Sequence, residues 1–146
     1  MVGVNYEDLS AAFEFVSSGA PMEHQAYISM DTGRIYWISE VAPVEEELPD
    51  DLNESGRYIE IPHKNDLDLG RPLALRFIEK ELPAAYDRVR DFFGRRGAYR
   101  RFKDFLAEAG YLEKWYAFEA EQIEQALKGW CEVNEIEILP TDPWSV

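Results

Sequence analysis

Seven of the fifteen basic residues in this chain fall between Arg88 and Lys103: Arg88, Arg90, Arg95, Arg96, Arg100, Arg101 and Lys103. Only Asp91 offsets them inside that window. Six of the seven are arginines, whose planar guanidinium forks grip carboxylate or phosphate through paired N–H bonds as a lysine point charge does not. Two readings follow. The segment complements the chain's own acidic surface, or it receives an outside anion, for which an acidic protein partner or a small anion is the fit. The stretch Gly94-Arg95-Arg96-Gly97-Ala98 offers no Ser, Thr, Asp or Asn to cap the helix predicted after Gly97. Its first N–H groups need another acceptor, and helix N-termini favour negative charge. Arg95, Arg96, Gly97, Arg100 and Arg101 are therefore read as an anion- or partner-binding site.

Other chemistries lack their residues. A nucleophile pair would need Cys131 beside His24 or His63, yet Cys131 follows Trp130 late on a helix, where a cysteine is usually a small buried hydrophobe. Two histidines far apart do not make ligand spacing, and a single cysteine excludes a Cys-based zinc cluster and any intrachain disulfide. Asp66-Leu67-Asp68-Leu69-Gly70 resembles the opening of a calcium loop. That loop needs glycine sixth and glutamate twelfth; here Gly70 is fifth and Phe77 stands twelfth. Ser17-Ser18-Gly19 lacks the flanking glycines of a nucleophile elbow, and there is neither a GxGxxG nor a Walker A run. No carboxylate pair stands out among 29 Asp and Glu residues. The reading is no catalytic residue, no metal and no cofactor.

The elements that must position the basic segment can be read from spacing. Asn5 caps a helix from Tyr6 to about Ser17, with Asp8 as a capping-box partner and Leu9, Ala12, Phe13 and Val16 as its buried stripe. Alternation over 24–31 and 34–39 around Asp31-Thr32-Gly33 predicts an antiparallel hairpin closed by a type I turn and a bulge. Tyr58-Ile59-Glu60-Ile61 supplies a third strand, stopped by Pro62. From Asp68 onward the chain reads as helical. Pro72 sits in a first turn, Leu82-Pro83 breaks the run, Ala84 to Phe93 forms a short second helix, and Gly110 ends the third. The last helix runs from Tyr111 to Val133 with Leu112, Trp115, Tyr116, Ile123, Leu127 and Trp130 as its stripe. Ile136 to Leu139 is a fourth short strand or a docked tail. Strands early and helices late predict an α+β fold: a small antiparallel sheet of a hairpin plus a third strand, packed against a C-terminal group of about four helices.

At 146 residues, with nearly half of them apolar, the chain is read as one domain spanning 1–146 with a core of its own. Residues 40–55 form an acidic loop without Lys or Arg, read as solvated and mobile, and residues 140–146 form a C-terminal tail. A formal charge of −14 repels polyanions, which weighs against nucleic acid although local basic surface can override it. No signal peptide opens the chain and no apolar run nears the roughly 18 residues of a membrane span, so the expectation is a cytoplasmic protein with no membrane contact. Oligomeric state is not legible.

Four segments carry a resemblance: Ala26–Ile38 with its Asp-Thr-Gly turn, Tyr58–Pro62, Gly97–Leu106 (Gly-Ala-Tyr-Arg-Arg-Phe-Lys-Asp-Phe-Leu) and Leu112–Glu119 (Leu-Glu-Lys-Trp-Tyr-Ala-Phe-Glu). Together, and in order, they resemble an uncharacterised bacterial protein family, the one numbered 0158. The resemblance implies a small bacterial cytoplasmic protein and brings no activity, cofactor or catalytic residue with it. The residues themselves point to a protein-interaction or regulatory module without catalysis. The alternatives are an anion-, nucleotide- or nucleic-acid-binding module built on the basic segment, or an enzyme of unrecognised type.

Overall fold

The structure, a computed structural model, describes residues 1–19, 23–39, 49, 51–52 and 56–140. Among them are five strands and five helices: a three-stranded antiparallel sheet, a parallel pair and a C-terminal run of helices, the expected α+β class. The chain divides into two compact units, residues 1–67 with 128–146, and residues 68–127.

In the first unit, β1 (Val2–Asn5) leads directly into α1 (Tyr6–Ser17). The side chain of Asn5 accepts from the Glu7 amide at 2.8 Å, satisfying one of the donors that a helix start leaves open. Leu9, Ala12, Phe13 and Val16 are all buried, one stripe at helical spacing. That stripe packs on β2 (His24–Ser29) and β3 (Ile35–Ser39), covering one face of the hairpin. β4 (Tyr58–Glu60) pairs with the other side of β2, so the strand order is β3-β2-β4. The hairpin thus has both the helix cover and the third strand that an isolated hairpin lacks. Gly33 closes the turn at φ +80°, and a side chain there would overlap the Gly3 carbonyl oxygen.

β5 (Ile136–Leu139) is a strand, not a docked tail: it pairs in parallel with β1, Val2 opposite Ile136 through Asn5 opposite Leu139. β1 itself escapes the sequence reading, because four residues carry too short a pattern and the partner lies at the far end of the chain.

The second unit is helical. α2 (Arg71–Glu81) has Pro72 in its first turn and buries Leu73, Ala74, Phe77 and Ile78. Leu82-Pro83 ends it, and a single 3-10 turn over Pro83–Ala85 intervenes before α3 (Tyr86–Phe92), so the helix expected from Ala84 starts two residues later. α4 (Ala98–Ala109) ends at Gly110, φ +79°, whose amide reaches the Leu106 and Ala107 carbonyls while that of Tyr111 reaches back to Leu106. α5 (Leu112–Val133) buries Trp115 and Leu127 in this unit. Tyr116, expected in the stripe, is 46% exposed; it follows Trp115 by one position, about 100° around the helix.

The unit's core is aromatic. The ring of Trp115 meets Phe102 edge-on at 4.9 Å and Phe77 at 5.4 Å, while Phe77 also touches Phe118. Phe93 joins through Tyr99 and Phe102. Such edge-to-face pairs add about 0.5–1.5 kcal/mol each beyond their buried area. Most of the acidic run, 40–48, 50 and 53–55, and the tail 141–146 lie outside the described residues.

Candidate functional site

The basic segment runs along α3, through a five-residue turn, into α4. The turn is built by hydrogen bonds from Gly94 to Asp91 and from Arg95 to Phe92, and Gly97 at φ +70° swings the chain into the new helix. Phe92 and Phe93 anchor it from below on Phe105 and Phe102. Arginines therefore sit on a fixed scaffold, with the aromatics turned inward and the charges outward.

The structure sorts the seven cations into three groups. The guanidinium of Arg88 lies over the Phe105 and Phe92 rings at 5.1 and 5.9 Å, and the Lys103 ammonium lies 5.7 Å from the centre of the exposed Tyr116 ring. Arg90 and Arg95 each reach back one turn, to Asp87 at 3.8 Å and Asp91 at 3.2 Å. Arg96, Arg100 and Arg101 are exposed, and among the described residues none has a charged partner. All five residues singled out by sequence, Arg95, Arg96, Gly97, Arg100 and Arg101, lie at the surface where α4 begins. Arg95 differs from the rest because Asp91 already holds it.

Gly97 supplies no side-chain cap, and the first turn of α4 holds no acidic residue. Its partial positive charge therefore adds to that of the arginines. The same helix carries one polar group inward. Burial, aided by the Glu119 charge, pushes the Tyr99 hydroxyl up to about 12, so it stays protonated across the working range of pH.

The groups that could do nucleophilic or metal chemistry are committed to structure. Cys131 is buried, and burial pushes its thiol up to about 11, the opposite of a reactive cysteine. His63 donates from Nε2 to the Gly19 carbonyl at 2.9 Å and accepts at Nδ1 from the Asn65 amide at 3.0 Å, so both ring nitrogens tie loops together. His24 bonds to Ser39 and packs on Phe15, whose ring stacks on Trp37. Among the described residues no three His, Cys, Asp or Glu side chains gather as metal ligands would.

On the first unit, Asp51 takes 2.6 and 2.8 Å bonds from Arg57 and Tyr58, which hold its carboxyl below the usual carboxylate range. Tyr36 packs against Tyr58 and carries the Arg34 guanidinium at 4.9 Å. Among the described residues no helix is long and apolar enough to cross a membrane.

Fold and surface together define a small α+β protein whose most chemically distinct feature is an arginine surface. The chain belongs to the Uncharacterised protein family (UPF0158), whose model matches residues 8–142. All four segments that carry the resemblance fall within that span. No curated protein and no solved structure matches the chain.

Proposed function

We propose that this protein is a non-catalytic interaction module of the bacterial cytoplasm, which engages an acidic surface on a partner protein through Arg96, Arg100 and Arg101. One observation carries the reading: among the described residues these three are the arginines of the segment with neither a charged partner nor an aromatic ring beneath them, whereas Arg90 and Arg95 are held by Asp87 and Asp91 and Arg88 lies over Phe92 and Phe105. Their planar guanidinium groups pair well with carboxylates through paired N–H bonds. The uncapped start of α4 favours a second reading, in which the same surface takes a small anion such as phosphate.

Calorimetric titration separates the two. A short glutamate-rich peptide should bind at low salt, weaken steeply as salt is raised, and bind the Arg96→Ala/Arg101→Ala variant at least about fivefold more weakly. Arg95→Ala should change little. Phosphate binding of equal strength would select the small-anion reading. Binding of the peptide undiminished in the double variant, or no binding of either ligand, would overturn both.

A further inference from the structure

Strand β3 is an edge of its sheet, and the register decides which of its backbone groups are used. The Ser29 amide donates to the Arg34 carbonyl at the head of the hairpin, with Ile28 opposite Ile35, Ala26 opposite Trp37 and Tyr27 opposite Tyr36. In an antiparallel ladder bonded pairs alternate with unbonded ones, so Tyr36 and Ile38 exchange bonds with β2. The N–H and C=O groups of Ile35 and Trp37 point the other way, and among the described residues they meet no partner.

Edge strands are ordinarily blunted by charge, proline, a bulge or shortness. The opposite edge obeys: β4 has three residues, includes Glu60 and runs on to Pro62. β3 does not. Ile35-Tyr36-Trp37-Ile38-Ser39 contains no charge and no proline, and its register against β2 is unbroken. Beside it opens a groove of about 350 Å³, walled by Ile35 and Trp37 on one side and by Val4, Asp8 and Ala11 on the other. A strand added to this edge would find four backbone groups to bond and a trough for alternate side chains.

We propose that β3 receives an extended segment of a partner protein in which apolar and basic residues alternate. Apolar side chains enter the groove against Trp37 and Ala11, and basic ones lie on the opposite face of the sheet, which Tyr36 shares with Tyr27 and Glu60. Charge selects this occupant over a second copy of the chain. The unit that bears β3 holds 18 acidic and four basic side chains, the whole of the −14 formal charge. Pairing β3 with β3 would set two such units side by side, whereas a cationic strand is drawn in.

The test uses the full chain and a peptide of about nine residues alternating valine and lysine, followed by amide hydrogen exchange. The amides of Ile35 and Trp37 should slow at least about tenfold with the peptide. A version N-methylated on alternate amides, and one with glutamate for lysine, should bind at least about tenfold more weakly. Ile35→Pro removes an outward N–H that β2 does not use and should lose binding by a similar factor. The comparison of peptides on the unaltered chain decides the matter even if that variant fails to fold. Peptide binding that leaves the Ile35 and Trp37 amides unprotected would overturn the proposal. So would equal binding of either control peptide, no binding at all, or those amides already protected in a dimer seen by sedimentation.

Discussion

Residues 68–127 carry eleven acidic and eleven basic side chains and no net charge, whereas the remainder of the chain holds the entire −14. The neutral unit is helical, and of the arginines in its basic segment Arg90 and Arg95 sit one turn from carboxylates, Arg88 lies over rings, and Arg96, Arg100 and Arg101 have neither among the described residues. The acidic unit is a sheet with one covering helix and a parallel strand pair, and its few cations are spread thin, Arg57 on Asp51 and Arg34 on Tyr36. A near-uniform distribution of charge would have made one sticky or one inert surface. On the two proposals above, segregation gives the units opposite partners: guanidinium forks in one, and in the other a β3 edge whose outward backbone groups meet no partner among the described residues.

The largest effect with which to probe this contrast lies in the aromatic core of the helical unit. Trp115 is fully buried, and its indole N–H has no acceptor among the described residues. Trp115→Ala should cost about 3–5 kcal/mol by urea unfolding, through lost contacts and the cavity left behind. Trp115→Phe should stay within about 1 kcal/mol of the unaltered chain, because removing an unsatisfied buried donor offsets part of the lost ring. Equal losses for the two would show that the N–H is bonded and the core differently built.

A medium effect separates the units by pH. Cys131, in the acidic unit, is pushed up to about 11 by burial, and Tyr99, in the neutral unit, to about 12. Both are raised above their ordinary values, so the folded chain holds these protons more tightly than the unfolded one. Their stabilising contribution is complete below about pH 9 for Cys131 and about pH 10 for Tyr99, and is lost as pH climbs through about 11 and about 12. The melting temperature should therefore fall by roughly 5 °C or more across that window. Cys131→Ala should remove the earlier part of the fall and Tyr99→Phe the later part. A melting temperature flat to pH 12 in the unaltered chain would contradict both assignments.

The smallest effect compares two helix starts. α1 has a side-chain cap, so Asn5→Ala should cost about 1 kcal/mol. α4 has none, but Gly97 sits in the left-handed region with open space around it, so Gly97→Ala should cost about 1–2 kcal/mol from backbone strain alone. Thermal or urea unfolding of the two variants checks this. A neutral Gly97→Ala would show that the turn before α4, which carries Arg96, relaxes.

Much of this was legible in the residues. The stripe Leu9, Ala12, Phe13, Val16, the cap at Asn5, the glycine turn at Gly33 and the helix stop at Gly110 are all where local spacing puts them. The basic segment was legible as a cluster, but not its division. That Arg88 rests on Phe105, seventeen positions along the chain, depends on how α3 meets α4. Tyr116 misled because one helical stripe and a neighbouring exposed ring supporting a lysine look alike in a list of aromatics.

What the chain determined by itself are the features that neighbouring residues settle among themselves: helix and strand periods, caps, left-handed glycines and the sign of each stretch of charge. These depend on contacts within a turn or two of chain, where connectivity alone brings the groups together. Tertiary structure alone decided that Val2–Asn5 is a strand, since its partner begins at Ile136, and that β3 rather than β2 is an edge. It also decided which three arginines of the basic segment have neither a carboxylate nor a ring against them among the described residues. Each of these turns on a meeting of distant segments, and a pairing between distant residues leaves no period in the sequence between them.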